Sequence, residues 1–117
     1  MEKFMLLFEG PMPAPEAASP EAMQEIMGKW FAWIEKLSKD GRYVTGEPLL
    51  PGGKILKGSH KNVVDGPFTE GKEIIGGFFI VNARDYEDAV ALCEDYPDYE
   101  FGGSVIVRQV QKVEMPA

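Results

Sequence analysis

The sequence contains only one cysteine, Cys93, and only one histidine, His60. A single cysteine excludes an internal disulfide, and a single histidine excludes metal sites built from several imidazoles. The sequence motifs of zinc proteins, serine hydrolases and dinucleotide-binding folds do not occur either. The sequence therefore predicts no metal and no other cofactor, and we expect a buried, unreactive thiol and a solvated imidazole.

Long apolar stretches are also missing. The apolar run at residues 4–8 is followed directly by Glu9, and it is too short for the core of a signal peptide. Nothing approaches the roughly 18 apolar residues that span a bilayer. Together with the lone thiol, these features predict a cytoplasmic protein that has no membrane partner.

Basic side chains are outnumbered, since 12 Lys and Arg face 19 Asp and Glu and the formal net charge is −7. A nucleic-acid footprint needs a basic surface, so the charge balance argues against a nucleic-acid partner. The 117 residues, 44% of them hydrophobic, are enough to bury the core of one domain. We expect residues 1–117 to form that single domain.

Two segments, residues 4–8 and 74–81, are apolar at consecutive positions rather than at alternate ones. This pattern is typical of interior strands that are covered on both faces. The glycine pair Gly76-Gly77 in the second segment predicts a bulge or a close approach by another part of the chain. These segments should form the centre of the sheet.

Two helices follow from capping signals and apolar periodicity. Ser19 and Gly41 bound the first, and Asp85 and Pro97 bound the second. The remaining segments predict an edge strand at 42–50, a short polar hairpin at 54–64 with His60 at its tip, and a final strand at 104–113.

The element order is therefore strand, helix, strand, a short insertion, and again strand, helix, strand. This order predicts an α+β fold, a ferredoxin-like βαββαβ unit with an antiparallel sheet and both helices on one face. Because the central strands are apolar on both faces, another copy of the sheet is the simplest cover for the second face. We therefore expect a homodimer assembled through the sheet faces, of the dimeric α/β-barrel type.

The segment from Gly66 to Lys72 spells a phosphate-binding loop as far as its lysine. Glu73 then stands where a Ser or Thr should hold magnesium, and the segment leads into a strand rather than a helix. A carboxylate beside a triphosphate would repel it. We reject a nucleotide-binding function on these grounds.

The same stretch, D-G-P-F-T-E-G-K-E-I-I-G-G-F from Asp65 to Phe78, resembles the signature of the DGPF branch of the YCII-related family. The resemblance implies a ferredoxin-like fold that dimerises through its sheets, in a family whose DGPF members mostly lack an assigned reaction. The chain departs from relatives at Ile106, where many carry a glutamate two residues before the arginine, here Arg108. Its first helix also lacks the histidine of the YCII branch associated with acid–base chemistry.

Polar side chains in and near this segment are the candidate site. Carboxylates with a Lys or Arg nearby can separate their pKa values into one acid and one base, so Asp65 and Glu73 are the candidate catalytic residues. The candidate ligand-binding residues are Trp33, Phe68, Glu70, Lys72 and Arg108. Alternatively, Asp65 caps a turn, the charged residues form surface ion pairs, and Trp33 extends the core.

Three functions remain open at this point. The first is a small-molecule-binding domain that holds an organic acid or aromatic ligand between sheet and helix, near the DGPF segment. The second is a cofactor-independent enzyme for proton transfer or elimination, and the third is a regulatory protein-interaction module. Binding ranks narrowly above catalysis, and whether the chain is an enzyme is left open.

Overall fold

The computed structural model describes residues 1–10, 19–66 and 74–116. These residues form six strands, two α-helices and two short 3-10 helices. The strands are β1 (Glu2–Glu9), β2 (Tyr43–Pro48), β3 (Lys54–Lys57), β4 (Asn62–Asp65), β5 (Ile75–Ala83) and β6 (Ser104–Gln109). The helices are α1 (Pro20–Lys39) and α2 (Tyr86–Leu92), followed by the 3-10 helices Cys93–Asp95 and Pro97–Phe101.

The main sheet has the strand order β2-β5-β1-β6, and every neighbouring pair is antiparallel. The two apolar runs thus occupy the centre of the sheet as β1 and β5, and β2 lies at an edge, as predicted. With α1 after β1 and α2 after β5, this is the ferredoxin-like α+β arrangement. The hairpin β3–β4 forms a separate two-stranded sheet inserted between β2 and β5.

The sheet face that carries Phe4, Leu6 and Phe8 is buried beneath both helices. In β5 the matching residues are Phe79 and Val81, which are also buried. Because successive side chains of a strand point to opposite faces, alternate residues of β1 and β5 fill this core. The helices contribute Trp33, Leu37, Ala89 and Cys93 to the same cluster.

Both helices begin at the predicted caps. The Ser19 hydroxyl accepts a hydrogen bond from the Ala22 N–H at 3.1 Å, and Pro20 occupies the first turn. The Asp85 carboxylate accepts from the Asp88 N–H at 2.8 Å. Such caps satisfy amide groups that have no partner inside the helix, which is why the helices start at these residues.

A largely buried ion pair joins the loop after α1 to α2. The Arg42 guanidinium donates to the Asp88 carboxylate at 2.6 Å, and their side chains are only 14% and 10% exposed. Arg84 also donates to Asp88, and together with Arg42 it lowers the pKa of this carboxyl below its usual range. At pH values above the pKa of an ordinary aspartate, the ionised Asp88 therefore stabilises the folded state. This stabilisation is lost as the pH falls from that value through the lowered pKa of Asp88.

Two elements end several residues before the sequence prediction. Strand β6 ends at Gln109 rather than at residue 113. Its last paired residue, Gln109, lies opposite Phe4, and the Val110 N–H makes one further hydrogen bond, to the Lys3 carbonyl. Helix α2 ends at Leu92, and a tighter 3-10 turn carries Cys93 before Pro97.

The other face of the sheet is covered by neither helix. Its apolar side chains belong to the opposite parity of the strands, and they are Met5, Leu7, Phe78, Ile80 and Ile106. We call these five residues the open face. Across residues 1–10, 19–66 and 74–116, no helix has the length and apolar character needed to cross a membrane.

Candidate functional site

A cavity of about 490 Å³ lies between α1 and the helix-covered face of the sheet. Helix α1 supplies one wall, the ends of β1 and β2 and the start of β5 supply the other, and the chain after α2 closes one end. The lining residues are Phe8, Glu9, Gly10, Met27, Trp30, Phe31, Ile34, Tyr43, Gly46, Glu47, Pro48, Gly76, Gly77, Phe79, Tyr96, Asp98 and Gly103.

Aromatic rings form most of the inner surface. Phe8 meets Phe79 edge to face with ring centroids 4.9 Å apart, and it meets Trp30 in the same way at 5.1 Å. Tyr96 stacks on Phe8 at 5.3 Å, and Tyr43 contacts Phe79 at 5.2 Å. Each ring is held by at least one other ring, so the walls are preformed rather than flexible.

Two glycines create the space that these rings need. A Cβ atom on Gly46 would lie 2.4 Å from Cδ1 of Phe79, and one on Gly103 would lie 2.5 Å from the Tyr96 hydroxyl. Neither distance is tolerable for a real side chain. The rings can therefore pack directly over the backbone of β2 and of the segment before β6 only because glycine stands there.

Asp98 is the most unusual polar group of the cavity. Its Oδ1 atom is buried without a hydrogen-bond partner, although the residue as a whole is only half-buried. Burial raises the pKa of this carboxyl, the Trp30 indole N–H acts in the opposite direction, and Glu100 adds a further raising effect. A buried acceptor without a partner destabilises the ionised form of this carboxyl, in agreement with its raised pKa.

Two tyrosine hydroxyls lie close to the carboxylates. Burial, together with the charge of Asp98, raises the pKa of Tyr96 to about 12. Burial and the charge of Glu47 also raise the pKa of Tyr43. Both hydroxyls therefore stay protonated near neutral pH and can act as hydrogen-bond donors.

The arrangement can hold a planar organic molecule between aromatic surfaces and present it with the Asp98 carboxyl and two phenols. Among the described residues, those lining the cavity include Glu9, Glu47 and Asp98 but no lysine, arginine or histidine. Glu47 pairs with Phe78 and Glu9 pairs with Ser104, so the strand alternation directs both glutamate side chains towards the open face, and these residues line the cavity along their backbone. In the same described part of the chain, no group of three or more His, Cys, Asp or Glu side chains is suited to a metal ion.

Trp33 lies behind this aromatic wall. It is 2% exposed, its ring is 5.0 Å from that of Phe79, and its indole N–H donates to the Leu92 carbonyl at 3.0 Å. The residue therefore packs in the core and joins α1 to α2, while Trp30, one turn earlier, lines the cavity. Of the two tryptophans, Trp30 is the one in reach of a ligand.

Asp65 and Arg108 lie outside the lining of the cavity. Asp65 ends β4, where it is highly exposed and forms an ion pair with Lys54 across the hairpin. Arg108 is exposed on β6 opposite Met5, which places it on the open face of the sheet. The four remaining predicted residues, Phe68, Glu70, Lys72 and Glu73, lie outside the described residues.

The chain that follows residues 65–73, the charged part of the DGPF signature, adjoins the cavity. Ile74, the first described residue after it, is buried, and its carbonyl accepts a hydrogen bond from the Gly10 N–H at 3.1 Å. Gly10, Gly76 and Gly77 line the cavity.

His60 and Cys93 take no part in the cavity. His60 is exposed at the tip of the β3–β4 hairpin, as expected. Cys93 is 3% exposed, and burial raises the pKa of its thiol to about 11. The thiol is therefore protonated and unreactive near neutral pH, which confirms the expectation of a structural cysteine.

A family profile for the YCII-related domain matches residues 4–114, which is nearly the whole chain. The chain belongs to the YCII-related domain family. No curated protein matches it significantly. One similar solved structure is that of 5-chloro-2-hydroxyhydroquinone dehydrochlorinase (TftG) from Burkholderia phenoliruptrix AC1100 in complex with 2,5-dihydroxybenzoquinone. The TM-score is 0.48 with 18% identity, over 93% of this chain and 93% of that chain.

The polar residues of the cavity in this YCII-related domain were not recognised from the sequence. The sequence predicts only a strand end, an edge strand and a helix stop in the three segments that contain Glu9, Glu47 and Asp98. The one local signal was the sequence Tyr96-Pro97-Asp98, which places a large aromatic and a carboxylate on one tight turn before the Gly102-Gly103 pair.

We predict that Asp98→Asn stabilises the protein at neutral pH. Because the folded-state pKa of Asp98 is raised, its contribution to stability is greatest below the unfolded-state pKa and is lost as pH rises through the folded-state pKa. Removing the charge should raise the free energy of unfolding by about 1 kcal/mol at pH 7, a modest value because the side chain is only half-buried. The gain should shrink towards pH 4, as measured by thermal unfolding.

Asp95→Asn is the matched control, because it makes the same change of charge at an exposed ion pair with Lys36. It should not raise the melting temperature. A lower melting temperature for Asp98→Asn at pH 7 would contradict the prediction and show that the carboxylate is stabilised by a partner.

Proposed function

We propose that this YCII-related domain binds a small organic molecule in the cavity between α1 and the sheet. The observation that carries the proposal is a cavity that is walled by packed aromatic rings and lined by the half-buried residue Asp98. Its volume of about 490 Å³ falls within the range of small-molecule sites, about 300–1,000 Å³. A molecule with one or two rings would fill it.

The proposal places the ligand near the DGPF segment, and we assign the chain to the DGPF branch of the family. Its support is the D-G-P-F and G-G-F sequence together with the position of Gly76 and Gly77, the two glycines of G-G-F, which line the cavity. We propose that Phe68, Glu70 and Lys72 contribute to the mouth of the cavity. The proposed role of Trp33 is to support the ring wall from behind, through its contacts with Phe79.

A second candidate, a cofactor-independent enzyme for proton transfer or elimination, is favoured by one specific observation. Asp98, whose pKa is raised, lies beside the protonated hydroxyl of Tyr96 in a largely apolar cavity. Such a pair offers a base and an acid to the same bound molecule. Glu73 remains a proposed base because it precedes Ile74, a buried residue at the edge of the cavity, in the sequence. Asp65 remains a proposed base on condition that the β3–β4 hairpin approaches the bound ligand.

We also propose that the chain forms a homodimer through its open face. The support is that five apolar side chains of the open face, from β1, β5 and β6, are covered by neither helix. A second copy presents the same surface and buries both at once. Arg108 on β6 would then lie at or beside this interface. The lone buried thiol fits a reducing compartment, and we propose a cytoplasmic location.

Ligand binding can be tested with the two tryptophans as reporters. In Trp33→Phe the remaining Trp30 lines the cavity, and in Trp30→Phe the remaining Trp33 lies in the core. We expect a single-ring aromatic ligand to change the fluorescence of Trp33→Phe strongly and that of Trp30→Phe weakly. The panel should contain neutral, cationic and anionic compounds. An equal response in both variants, or none in either, would count against the cavity as the site.

Catalysis can be tested on any compound that binds. Exchange of its carbon-bound hydrogens in D₂O is followed by proton NMR, with and without protein. A general base typically contributes about 10²–10⁴-fold to a rate, so Asp98→Asn or Glu73→Gln should slow exchange by at least about 100-fold. Asp65→Asn is compared in the same way. If the variant that carries all three substitutions still exchanges hydrogen at the wild-type rate, the enzyme hypothesis is eliminated.

The dimer can be tested with two glutamate substitutions of exposed apolar residues. Ile106, 36% exposed, belongs to the open face, whereas Val90, 57% exposed, lies on α2. Light scattering at micromolar concentration should show a dimer for the wild type and for Val90→Glu, and a monomer for Ile106→Glu. A strictly monomeric wild-type protein would refute the proposed assembly.

A further inference from the structure

The β3–β4 hairpin has apolar side chains on both of its faces. Ile55 pairs with Val64 on one face, and Leu56 pairs with Val63 on the other. Leu56, Val63 and Val64 are 61%, 59% and 49% exposed. Both faces of the hairpin therefore present apolar surface to solvent in the single chain.

The hairpin makes its main contacts within itself. It forms a two-stranded sheet apart from the main sheet, and β3 and β4 chiefly contact each other. Its base is closed by the Lys54–Asp65 ion pair and by a 3.0 Å hydrogen bond from the Gly66 N–H to the Gly53 carbonyl. An isolated two-stranded hairpin is at best marginally stable in water, so a covering surface would stabilise it. We call residues 54–65 the arm.

The link to the arm continues the apolar surface of the open face. The Leu49 N–H donates to the Gly76 carbonyl at 2.9 Å, so the pairing of β2 with β5 extends past Pro48. Because side chains alternate between sheet faces, Leu49 projects on the same side as Glu47, towards the open face. Leu49 is 42% exposed and Leu50 is 89% exposed. Exposed apolar side chains thus run from the edge of the open face to the base of the arm.

The arm is a basic part of an acidic chain. Residues 54–65 contain three lysines and one aspartate, a formal charge of +2, whereas the whole chain carries −7, so the rest carries −9. Lys57 and Lys61 lie at the end of the arm remote from its base, and both are exposed. The arm and the remainder of the chain are therefore complementary in charge.

Lys61 also has an unusual backbone conformation. Its φ of 52° lies in the left-handed region, which Gly and Asn adopt more readily than Lys. Turn geometry alone would favour one of those residues at this position. A lysine retained there points to a use for its charge.

Lysines on an exposed hairpin have one other explanation. They discourage pairing between strand edges and so prevent aggregation. That explanation accounts for the charges of the arm, but it leaves the apolar pairs on both faces uncovered. A partner that is apolar and acidic accounts for both features.

From these observations we infer that, in the homodimer formed through the open face, the arm of each copy packs against the second copy. Its apolar pairs cover apolar surface beside the open face of the partner, and its lysines approach acidic side chains of the partner. This inference rests on the proposed homodimer and adds the arm to its interface. Two-fold symmetry makes the contact twice in each dimer.

The apolar contact is tested with threonine, which retains a high propensity for strands. The double variant Leu56→Thr/Val63→Thr should raise the dissociation constant of the dimer about tenfold or more, because apolar contacts are lost twice per dimer. Sedimentation over a dilution series of the full chain measures this constant. Val63→Thr and Val90→Thr are a matched pair, since the side chains are 59% and 57% exposed. Only Val63→Thr should weaken the dimer.

The charge contact is tested with Lys57→Gln combined with Lys61→Asn. Asparagine tolerates the left-handed conformation of residue 61, so circular dichroism should show a folded protein. The dissociation constant should rise about tenfold at low salt, and it should depend less on salt than that of the wild type. Lys29→Gln combined with Lys39→Gln makes the same change of charge on α1 and should leave the constant unchanged.

Cross-linking shows which chain covers the arm. His60, exposed at the tip of the arm, is replaced by the photoreactive residue p-benzoylphenylalanine. Chains labelled with ¹⁴N and with ¹⁵N are mixed and irradiated, and the linked peptides are analysed by mass spectrometry. We expect links between differently labelled chains.

The outcomes separate this inference from the proposed homodimer. If Ile106→Glu abolishes a dimer that the arm variants leave unchanged, the inference is refuted while the homodimer stands. If the variant with both α1 lysines replaced weakens the dimer as much as the arm variant does, the lysine contact is refuted. If the links fall only within single chains, the arm is covered by its own chain and the inference fails. If the wild type is monomeric throughout the dilution series, both proposals are refuted.

Discussion

Phe8 and Phe79 lie edge to face on the two central strands, and most of the other aromatic contacts in the described part of the domain are arranged around them. Both rings contact Trp30 and Trp33. In addition, Phe8 contacts Tyr96 and Phe79 contacts Tyr43. The pair depends on the antiparallel register of β1 and β5, which sets the two side chains close together on one face. Because both helices pack against the same face, this contact determines where α1 can lie and, through Tyr96, where the chain after α2 returns to the sheet.

Helix α1 packs differently along its length, and the cavity follows from this difference. Its C-terminal half buries Trp33 and Leu37 in the core, whereas Met27 and Phe31 in the preceding turns remain 44% and 62% exposed. Both residues form the outer rim of a space that the side chains of the described residues leave open. The cavity is thus a consequence of how one amphipathic helix meets a sheet that has glycine at position 46.

Features set by neighbouring residues were predictable from the sequence. The caps at Ser19 and Asp85, the interior strands and the order of elements all follow from local patterns, and the antiparallel sheet follows from that order. The cavity was not predictable in the same way. Glu9, Glu47 and Asp98 are far apart in the sequence, and only the packing of three elements brings them to one cavity. Sequence reasoning instead favoured the charged part of the DGPF signature, residues 65–73, because its motif is conspicuous. Of these residues the structure describes only Asp65 and Gly66.

Cys93 has a practical consequence for experiments on this protein. Its thiol is 3% exposed, points towards the Ala89 carbonyl, and has a pKa of about 11. The thiolate is the nucleophile that attacks maleimides and spin-label reagents, so the native chain should behave towards them almost as a cysteine-free protein. A single cysteine introduced on the rim of the cavity or on the hairpin would therefore carry a probe at one defined position. The wild-type background is thus suited to distance measurements by electron paramagnetic resonance or fluorescence without prior removal of the native thiol.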